Sequence, residues 1–303
     1  MASSTARFFL IVAASLGTSV ALAAHRTYDN RVNAPPGGHL TFDADVGSVT
    51  VIGGDTHEVV VHADLEASES FLSDFHISAE ETPSGVSISA RKGHKDWFGW
   101  FNFNFGSTRV QFRVEVPRDY PVHVQTAGGD LQVRDLSATV SGATSGGSVD
   151  VQNVTGSIDL HTSGGSIDGE HLNGPSKLST SGGSIDVSDS TGDLDLRSSG
   201  GGIRLRDDDG KVDAHTSGGS VSAELRANRG INLSTSGGNI TVRLPQDIHA
   251  TIDAETSGGR VSSDFPLSAT ELTDSDHLKG AIGGGGAPIE LHTSGGNIRL
   301  EPR

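Results

Sequence analysis

The sequence predicts an all-β protein, a β-solenoid (β-helix) with coils of about 18 residues and two long sheets, together with a less regular N-terminal β portion. The phrase Thr-Ser-Gly-Gly-Ser-Ile-Asp-Val returns with variations between Thr126 and Leu300. The first glycine of the pair recurs at 18-residue steps from Gly128 to Gly218. A fixed period near 20 residues is typical of repeat architectures, and it outweighs every other signal in the chain.

Two short strands are predicted in each coil, because the aliphatic residues follow steps of 2 and 7, and alternation indicates a strand with one buried face. Glycine at the corners, as at Gly182 and Gly192, is expected to supply the positive φ of a sharp turn. The threonine before each glycine pair is expected to point inward and bond to the turn backbone. The positions that show the steps are Ile185, Val187, Leu194 and Leu196.

A single coil is not expected to be stable by itself. Burial of four aliphatic side chains contributes roughly 6–12 kcal/mol, whereas fixing the backbone of an 18-residue coil costs roughly 18–36 kcal/mol. Stacked coils share their buried faces and pair their backbones at a spacing of about 4.8 Å. The repeat therefore predicts one long stack with a thin aliphatic core.

Composition indicates an exported protein. Residues 1–24 are predicted to be a signal peptide, since Arg7 is their only charge and Ala21-Leu22-Ala23 resembles a signal-peptidase site; the alternative is a membrane anchor, although the apolar stretch is short. The 303-residue chain has no cysteine and a net charge of −16, which excludes disulfides and thiol catalysis and argues against nucleic acid as a partner. We expect a location in the periplasm or on the surface of a bacterium.

Two regions follow the leader. Residues 25–125 are predicted to be an irregular β region with early coils and an aromatic hairpin, and residues 126–303 to be the regular solenoid, with a flexible loop insertion at 266–288. Gly47–Val51 repeats the coil phrase, and the alternating residues Val59, Val61 and Ala63 are interpreted as part of another early coil. The last strand, Asn297–Leu300, is expected to form a free edge beside a proline.

Three features resemble a known family. They are the Gly-x-Val-x-Val phrase at Gly47–Val51, the repeated Ser-Gly-Gly-x-Ile-x-Val phrase that begins at Ser145–Val151, and a glycine-rich segment before a last Thr-Ser-Gly-Gly-x-Ile at Gly283–Ile298. Over nearly the whole mature chain the pattern is similar to the exported bacterial "putative adhesin" β-strand-repeat family. The resemblance implies the fold and the export, but this family is a domain of unknown function and carries no catalytic residues to the chain.

One stretch departs from the repeat and is the candidate contact site. It holds both tryptophans of the chain and a basic cluster within an acidic protein. Aromatic and cationic side chains together suit an interface with lipid headgroups, glycan or a protein of the envelope; the alternative is a cap that covers an end of the solenoid. The residues are Arg91, Lys92, Lys95, Trp97, Phe98, Trp100, Phe101, Phe103 and Phe105.

Outward positions 18 residues apart are expected to form columns. Asp150, Asp168 and Asp186 lie in one such column, and three carboxylates at about 4.8 Å spacing form a weak candidate site for Ca²⁺, which prefers oxygen ligands. The simpler interpretation is a solvated acidic face. No other cofactor is expected.

No catalytic motif is recognisable in the sequence, so we expect a non-enzymatic binding or scaffold protein of the envelope, adhesin-like in character. The first alternative is a carbohydrate-active enzyme that uses surface carboxylates, because Asp occurs throughout the repeat. The second is a structural protein that self-assembles through the ends of the solenoid. The sequence leaves the ligand and the oligomeric state open.

Overall fold

A computed structural model describes residues 24–93 and 108–303, with only the backbone described for residues 269–274. These residues form two sheets that face each other across an aliphatic core, which confirms the predicted fold class and the two long sheets. The first sheet, called sheet A, has 13 strands. In spatial order these are β1 (Ala24–Asn33), β4 (Glu58–Ala67), β7 (Arg109–Pro117), β3 (Ser48–Gly54), β9 (Leu131–Leu136), β11 (Val149–Thr155), β13 (Ile167–Asn173), β15 (Ile185–Ser188), β17 (Ile203–Asp208), β19 (Val221–Leu225), β21 (Ile240–Leu244), β27 (Ile298–Pro302) and β23 (Val261–Ser263).

The second sheet, called sheet B, has 14 strands. In spatial order these are β24 (Ser268–Asp274), β25 (His277–Ile282), β22 (Ala250–Thr256), β26 (Ala287–Thr293), β20 (Ile231–Thr235), β18 (Val212–Thr216), β16 (Leu194–Ser198), β14 (Ser176–Thr180), β12 (Ile158–Thr162), β10 (Val140–Thr144), β8 (Val122–Thr126), β2 (His39–Ala44), β6 (Gly85–Lys92) and β5 (Phe75–Thr82).

The middle of the molecule is a regular parallel stack. Each coil contributes one strand to each sheet, and the strands pair with residues 18 positions away. Ile167, Ile185 and Ile203 lie opposite one another in sheet A and are at most 2 % exposed. Leu178 and Leu196 do the same in sheet B. The predicted steps of 2 and 7 therefore mark the buried positions.

The double-glycine corner is required by close approach rather than by positive φ. A Cβ added to Gly183 would lie 2.2 Å from the carbonyl oxygen of Gly165 in the preceding coil, and a Cβ on Gly147 would lie 2.2 Å from that of Gly129. None of the glycines in these pairs has positive φ, so the expectation stated for Gly182 was wrong. It was also wrong for Gly192 at the other corner, although Gly156 and Gly174 in the two preceding coils do have positive φ. The physical reason is that stacked backbones meet at both corners with no room for a side chain.

The threonine before each glycine pair fixes the same corner. The Thr180 hydroxyl donates to the carbonyl oxygen of Gly165 at 2.7 Å and accepts from the backbone N–H of Gly183 at 3.2 Å. Thr162 repeats both bonds one coil earlier, and Ser198 repeats them one coil later. The predicted inward threonine, bonded to the turn backbone, is confirmed.

A bulge column lies near the end of the sheet A strands. In β11, Gln152 and Val154 pair with the neighbouring strand, whereas Asn153 between them does not and has a φ of 54°. The extra residue turns Val154 inward, where strict alternation would have placed Asn153. Aspartate and asparagine tolerate this left-handed conformation better than most residues. The members of the column are Asp135, Asn153, His171, Asp189 and Asp207.

The N-terminal end keeps the coil geometry but not the chain order. The early coil at Gly47–Val51 is confirmed, since β2 and β3 stack directly on β8 and β9. A second coil, β6 with β7, lies on the far side of β2 and β3. Val59, Val61 and Ala63 do not belong to a coil as expected: they lie on β4, which runs antiparallel to β7 and pairs in turn with β1.

The C-terminal end departs from chain order in the same way. The last coil, β26 with β27, lies between the coil of β20 with β21 and that of β22 with β23. Asn297–Leu300 is therefore an inner strand rather than the expected free edge. The reason is that the last coil and its two neighbours carry the same Thr-Ser-Gly-Gly corner and matching inward residues, so this coil fits between them regardless of its place in the sequence.

The segment at 266–288 is mostly strand, so its prediction as a flexible loop was wrong. Strands β24 and β25 form an antiparallel hairpin, and β25 pairs with β22 at the edge of sheet B. Leu278 and Ile282 on β25 are buried and supply the apolar contacts that hold the hairpin. The only helix among the described residues, α1 (Glu69–Asp74), is too short to cross a membrane, and no described helix could do so.

Candidate functional site

The aromatic and basic stretch joins the two strands of the second N-terminal coil. Lys95, Trp97, Phe98, Trp100, Phe101, Phe103 and Phe105 lie outside the described residues, and Arg91 and Lys92 lie at the end of β6. Strands β6 and β7 belong to opposite sheets, so they do not form a hairpin with each other. Residues 93–108 thus connect the sheets where a regular coil needs only residues 127–130. The stretch replaces a double-glycine corner by a longer connection.

The beginning of β1 lies at this same corner. Strand β4 lies between β1 and β7, and its register aligns their starts: His25 and Arg109 are both opposite Glu66. Two strand spacings correspond to about 10 Å. Ala24, the first described residue, pairs with Ala67 one step further towards the corner. The predicted leader and the aromatic stretch therefore meet the described fold at one place.

Two basic residues of the stretch, Arg91 and Lys92, lie in the described part of the chain, and both are bonded to acidic residues of the neighbouring coil. The Arg91 guanidinium forms an ion pair with Asp43 and also donates to the Ser89 hydroxyl at 3.2 Å. The backbone N–H of Lys92 donates to Asp45 Oδ2 at 2.9 Å. The charge of Arg91 is thus balanced within the protein, and its role at the corner is to hold the end of β6.

Other residues already close the N-terminal end of the core. Helix α1 begins at Ser68, whose side chain accepts from the backbone N–H of Phe71. Leu72 is buried, and the rings of Phe71 and Phe75 stack at a centroid distance of 5.1 Å. Because this helix contacts β1 and β4 of sheet A as well as β5 of sheet B, it spans the gap between the sheets.

The two outermost strands at this end also converge. Arg26 on β1 donates to the carbonyl oxygen of Leu72 in α1 at 3.0 Å. Asn30 on β1 donates to the carbonyl oxygen of Ala79 on β5 at 3.4 Å. The first bond ties β1 to the helix, and the second crosses from one sheet to the other, so the two edges are held together.

The aspartate column exists as predicted, with Asp150, Asp168 and Asp186 on adjacent strands in register. Burial raises the pKa of Asp168, and the carboxylates of Asp186 and Asp150 raise that pKa further. Arginine neutralises the two outer members. Arg134 donates to Asp150 at 3.3 Å, and Arg206 donates to Asp186 at 2.6 Å.

This electrostatic arrangement disfavours a cation. Asp186 also has Arg204 at 3.5 Å from its second carboxylate oxygen, so both of its oxygens face guanidinium groups. Within residues 24–93 and 108–303, no group of three His, Cys, Asp or Glu side chains has the arrangement of a metal site. Calcium binding at this column stays a prediction, and the arginines are the structural argument against it.

The sequence analysis did not single out a buried carboxylate at the end of β17. Asp208 is 0 % exposed and occupies the inward position that Val154 and Leu172 hold in earlier coils. Its Oδ1 accepts from the backbone N–H of Ser190 at 2.9 Å and from the Ser190 hydroxyl at 2.6 Å, whereas Oδ2 has no partner. Burial raises the pKa of Asp208 to about 6. The run Asp207-Asp208-Asp209 was visible, but nothing in it marked the middle residue as inward.

The family of the chain follows from a match over most of its length. The family model described as Toastrack DUF4097 matches residues 38–301. The chain belongs to this family. The match begins before the early coil of β2 and β3 and reaches into β27, so it covers the whole stack except β1. The predicted resemblance to adhesin-like repeat proteins of unknown function is thereby confirmed at the level of the family, whereas export stays a prediction.

Three solved bacterial structures match most of the chain at low sequence identity. A "putative adhesin" from Bacteroides fragilis is 13% identical, with 91% of this chain and 97% of that chain covered and a TM-score of 0.49. A second "putative adhesin", from Parabacteroides merdae, is 12% identical over 90% and 95% of the two chains, with a TM-score of 0.44. A "putative lipid binding protein" from Parabacteroides distasonis is 12% identical over 90% and 96%, with a TM-score of 0.41. No curated protein matches the sequence.

Proposed function

We propose that this Toastrack protein is an exported, non-enzymatic envelope protein of the adhesin-like kind, and that it contacts anionic lipid through its N-terminal corner. The observation that carries the proposal is the shared position of two segments. The beginning of β1, which follows the predicted leader, and both ends of the aromatic and basic stretch lie at one corner of the solenoid. The segment that follows the predicted leader is thus adjacent to a segment suited to a membrane surface.

The composition of the stretch suits a lipid–water interface. Its sequence from Trp97 to Phe105 contains both tryptophans and four phenylalanines, and Lys95 lies just before it. Tryptophan rings combine an apolar body with a polar N–H and are favoured at such interfaces. Each lysine or arginine near an anionic surface contributes about 1 kcal/mol to binding.

The rest of the molecule supports a contact restricted to this corner. The chain has a net charge of −16, so the long faces of the solenoid are repelled by an anionic surface. The outward arginines along the stack are paired with carboxylates, as Arg134 is with Asp150 and Arg206 is with Asp186. An elongated acidic body with one basic, aromatic corner is expected to bind end-on.

The proposal of a non-enzymatic role rests on the outward side chains. The described carboxylates of the stack are engaged in ion pairs or lie in solvent-exposed columns. The one strongly perturbed acid, Asp208, is buried and has no access to a substrate. In the described part of the chain, the two shallow grooves around Lys177 and around Asp168 are lined without aromatic side chains, so they do not support the carbohydrate-active alternative.

Co-sedimentation with lipid vesicles tests the function. Mature protein, residues 25–303, is incubated with phosphatidylglycerol vesicles and with phosphatidylcholine vesicles. We expect the protein to pellet with the anionic vesicles only, and we expect Trp97→Ala/Trp100→Ala to remove most of that binding while its circular dichroism stays unchanged.

A charge comparison isolates the corner. Lys95→Ala is expected to weaken binding, whereas the matched Lys177→Ala, on the exposed face of sheet B beside Asp159, is expected to leave it unchanged. Equal binding to both vesicle types, or full binding by the folded tryptophan variant, would contradict the proposed contact. Binding to glycan or to an envelope protein would then be the next question.

A further inference from the structure

The last coil of the chain occupies a slot between two coils that precede it in sequence. Strand β26 pairs with β20 on one side and with β22 on the other, and β27 pairs with β21 and β23 in the same way. Ile289, Thr293 and Ile298 are each 0 % exposed. Residues 287–303 are therefore held on two sides, although the two walls of the slot are complete before this segment is reached along the chain.

The corner bonds of the segment are made to both walls. The Thr293 hydroxyl donates to the carbonyl oxygen of Gly238 at 2.8 Å, and the Thr256 hydroxyl donates to the carbonyl oxygen of Gly296 at 2.7 Å. The backbone N–H of Asn297 donates to Asn239 Oδ1 at 2.7 Å. The corner hydrogen bonds of a regular coil are thus repeated here. Each is made by residues of the repeat, so none depends on one particular neighbouring coil.

The two walls also match each other. Ile231 and Ile252 both lie opposite Ile289, and Thr235 and Thr256 both lie opposite Thr293. If the segment leaves, the coils of β20 with β21 and β22 with β23 carry the same inward residues in the same register and can stack directly. An emptied slot therefore does not leave the walls without partners, which lowers the cost of releasing the segment.

The connection to the segment has the properties of a hinge. Strand β25 ends at Ile282 and β26 begins at Ala287, with four glycines between them. Gly283, Gly284 and Gly285 have φ values of 62°, 88° and 93°. A Cβ added to Gly284 would meet nothing within 4 Å, whereas one on Gly283 or Gly286 would lie 2.7 or 2.4 Å from a backbone oxygen of residues 248–249. The connection is therefore open at its tip, and the change of direction is confined to that point.

We propose that residues 287–303 form an exchangeable coil, and that the slot accepts the same segment from a second copy of this chain. The two copies are then joined by a domain swap. The contacts in the swapped pair are those already made within one molecule, so no new complementary surface is required, which is why swapping is a low-cost route to dimers. This inference goes beyond the lipid contact and does not depend on it.

The absence of cysteine makes a direct test available. Asn232 on β20 and Glu290 on β26 are paired, exposed positions. Neighbouring strands are about 4.8 Å apart, which lies within the Cα range of a disulfide. One copy carries Asn232→Cys and the other carries Glu290→Cys, and the two are mixed in native buffer and mildly oxidised. A covalent dimer then forms only when the segment of one copy occupies the slot of the other.

Two controls make the result decisive. The double variant Asn232→Cys/Glu290→Cys should close its disulfide within one chain, which shows that the pair has competent geometry. His292→Cys in place of Glu290→Cys shifts the thiol by two residues, beyond bridging distance. We expect several-fold more linked dimer from the matched mixture than from the shifted one. Equal amounts from both mixtures, with the double variant closed internally, would overturn the proposal.

Discussion

Replacement of Thr180 by valine tests the explanation of the Thr-Ser-Gly-Gly corner. Thr180 is 4% exposed, and its hydroxyl bridges the carbonyl oxygen of Gly165 and the N–H of Gly183. Valine keeps the shape but removes both bonds. A buried polar group left without a partner costs about 1–3 kcal/mol, so two such groups predict a loss of about 2–6 kcal/mol in the free energy of unfolding. The methyl group also replaces an oxygen that lies only 2.7 Å from the carbonyl, which favours the upper part of that range.

Thr180→Ser is the matched control, because serine occupies this column naturally at Ser198 with both bonds intact. It removes one buried methyl group and should cost about 1 kcal/mol or less. Urea unfolding followed by far-UV circular dichroism measures both variants, and hydrogen exchange at the Gly183 amide shows whether the loss is local. If valine and serine destabilise equally, the hydroxyl bridge does not stabilise the corner and the explanation fails.

Three further variants address the same stack. Gly147→Ala should be strongly destabilising, since its Cβ would lie 2.2 Å from a carbonyl oxygen of the preceding coil. Gly146→Ala should be tolerated, because the atom nearest to its Cβ would be 3.7 Å away. Similar urea midpoints for the two variants would contradict the explanation by close approach. Burial raises the folded-state pKa of Asp208 from 3.8 to about 6. The protonated carboxyl group therefore contributes its full stability below about pH 4, and the free energy of unfolding falls by about 3 kcal/mol as the pH rises through 6, at about 1.4 kcal/mol per pKa unit. Asp208→Asn should remove this pH dependence from the urea midpoints. Ile185→Asp should unfold neighbouring coils, because it buries a charge without a partner, and a near-native melting curve would show that the proposed register is wrong.

The repeat was predictable from sequence because each coil encodes its own geometry. The spacing of Ile185, Val187 and Leu194 is enough to assign two strands and their buried faces, and all three side chains are at most 2% exposed. The threonine column followed from the same alternation. The reason for the glycines did not, since a sequence shows only that a side chain is absent at Gly183; whether φ or a neighbouring backbone forbids it depends on the stacked structure.

The order of the coils could not be predicted, because each coil presents the same edge to its neighbours. Nothing in Ile289 or Thr293 distinguishes a coil that extends the stack from one that enters it. The helix at the N-terminal end left a readable signal, since Ser68 is a typical N-cap residue and Phe71 and Phe75 are one turn apart, but the short segment lies where the period is lost. The aromatic stretch was recognisable in the sequence as an exception to the repeat, whereas the proximity of its two ends to the start of β1 depends on strand pairing.

The middle of the solenoid consists of similar coils, so the length of the molecule can change by whole coils. Sheet A has 13 strands, so at about 4.8 Å per step the stack is about 60 Å long. Duplication of one 18-residue unit in the middle would move the far end outward by a single step without altering either terminus, because a new coil meets only copies of the edges already present. A protein held at its N-terminal corner would in this way act as a ruler, in which the number of repeats sets the distance between the membrane and whatever the opposite end displays.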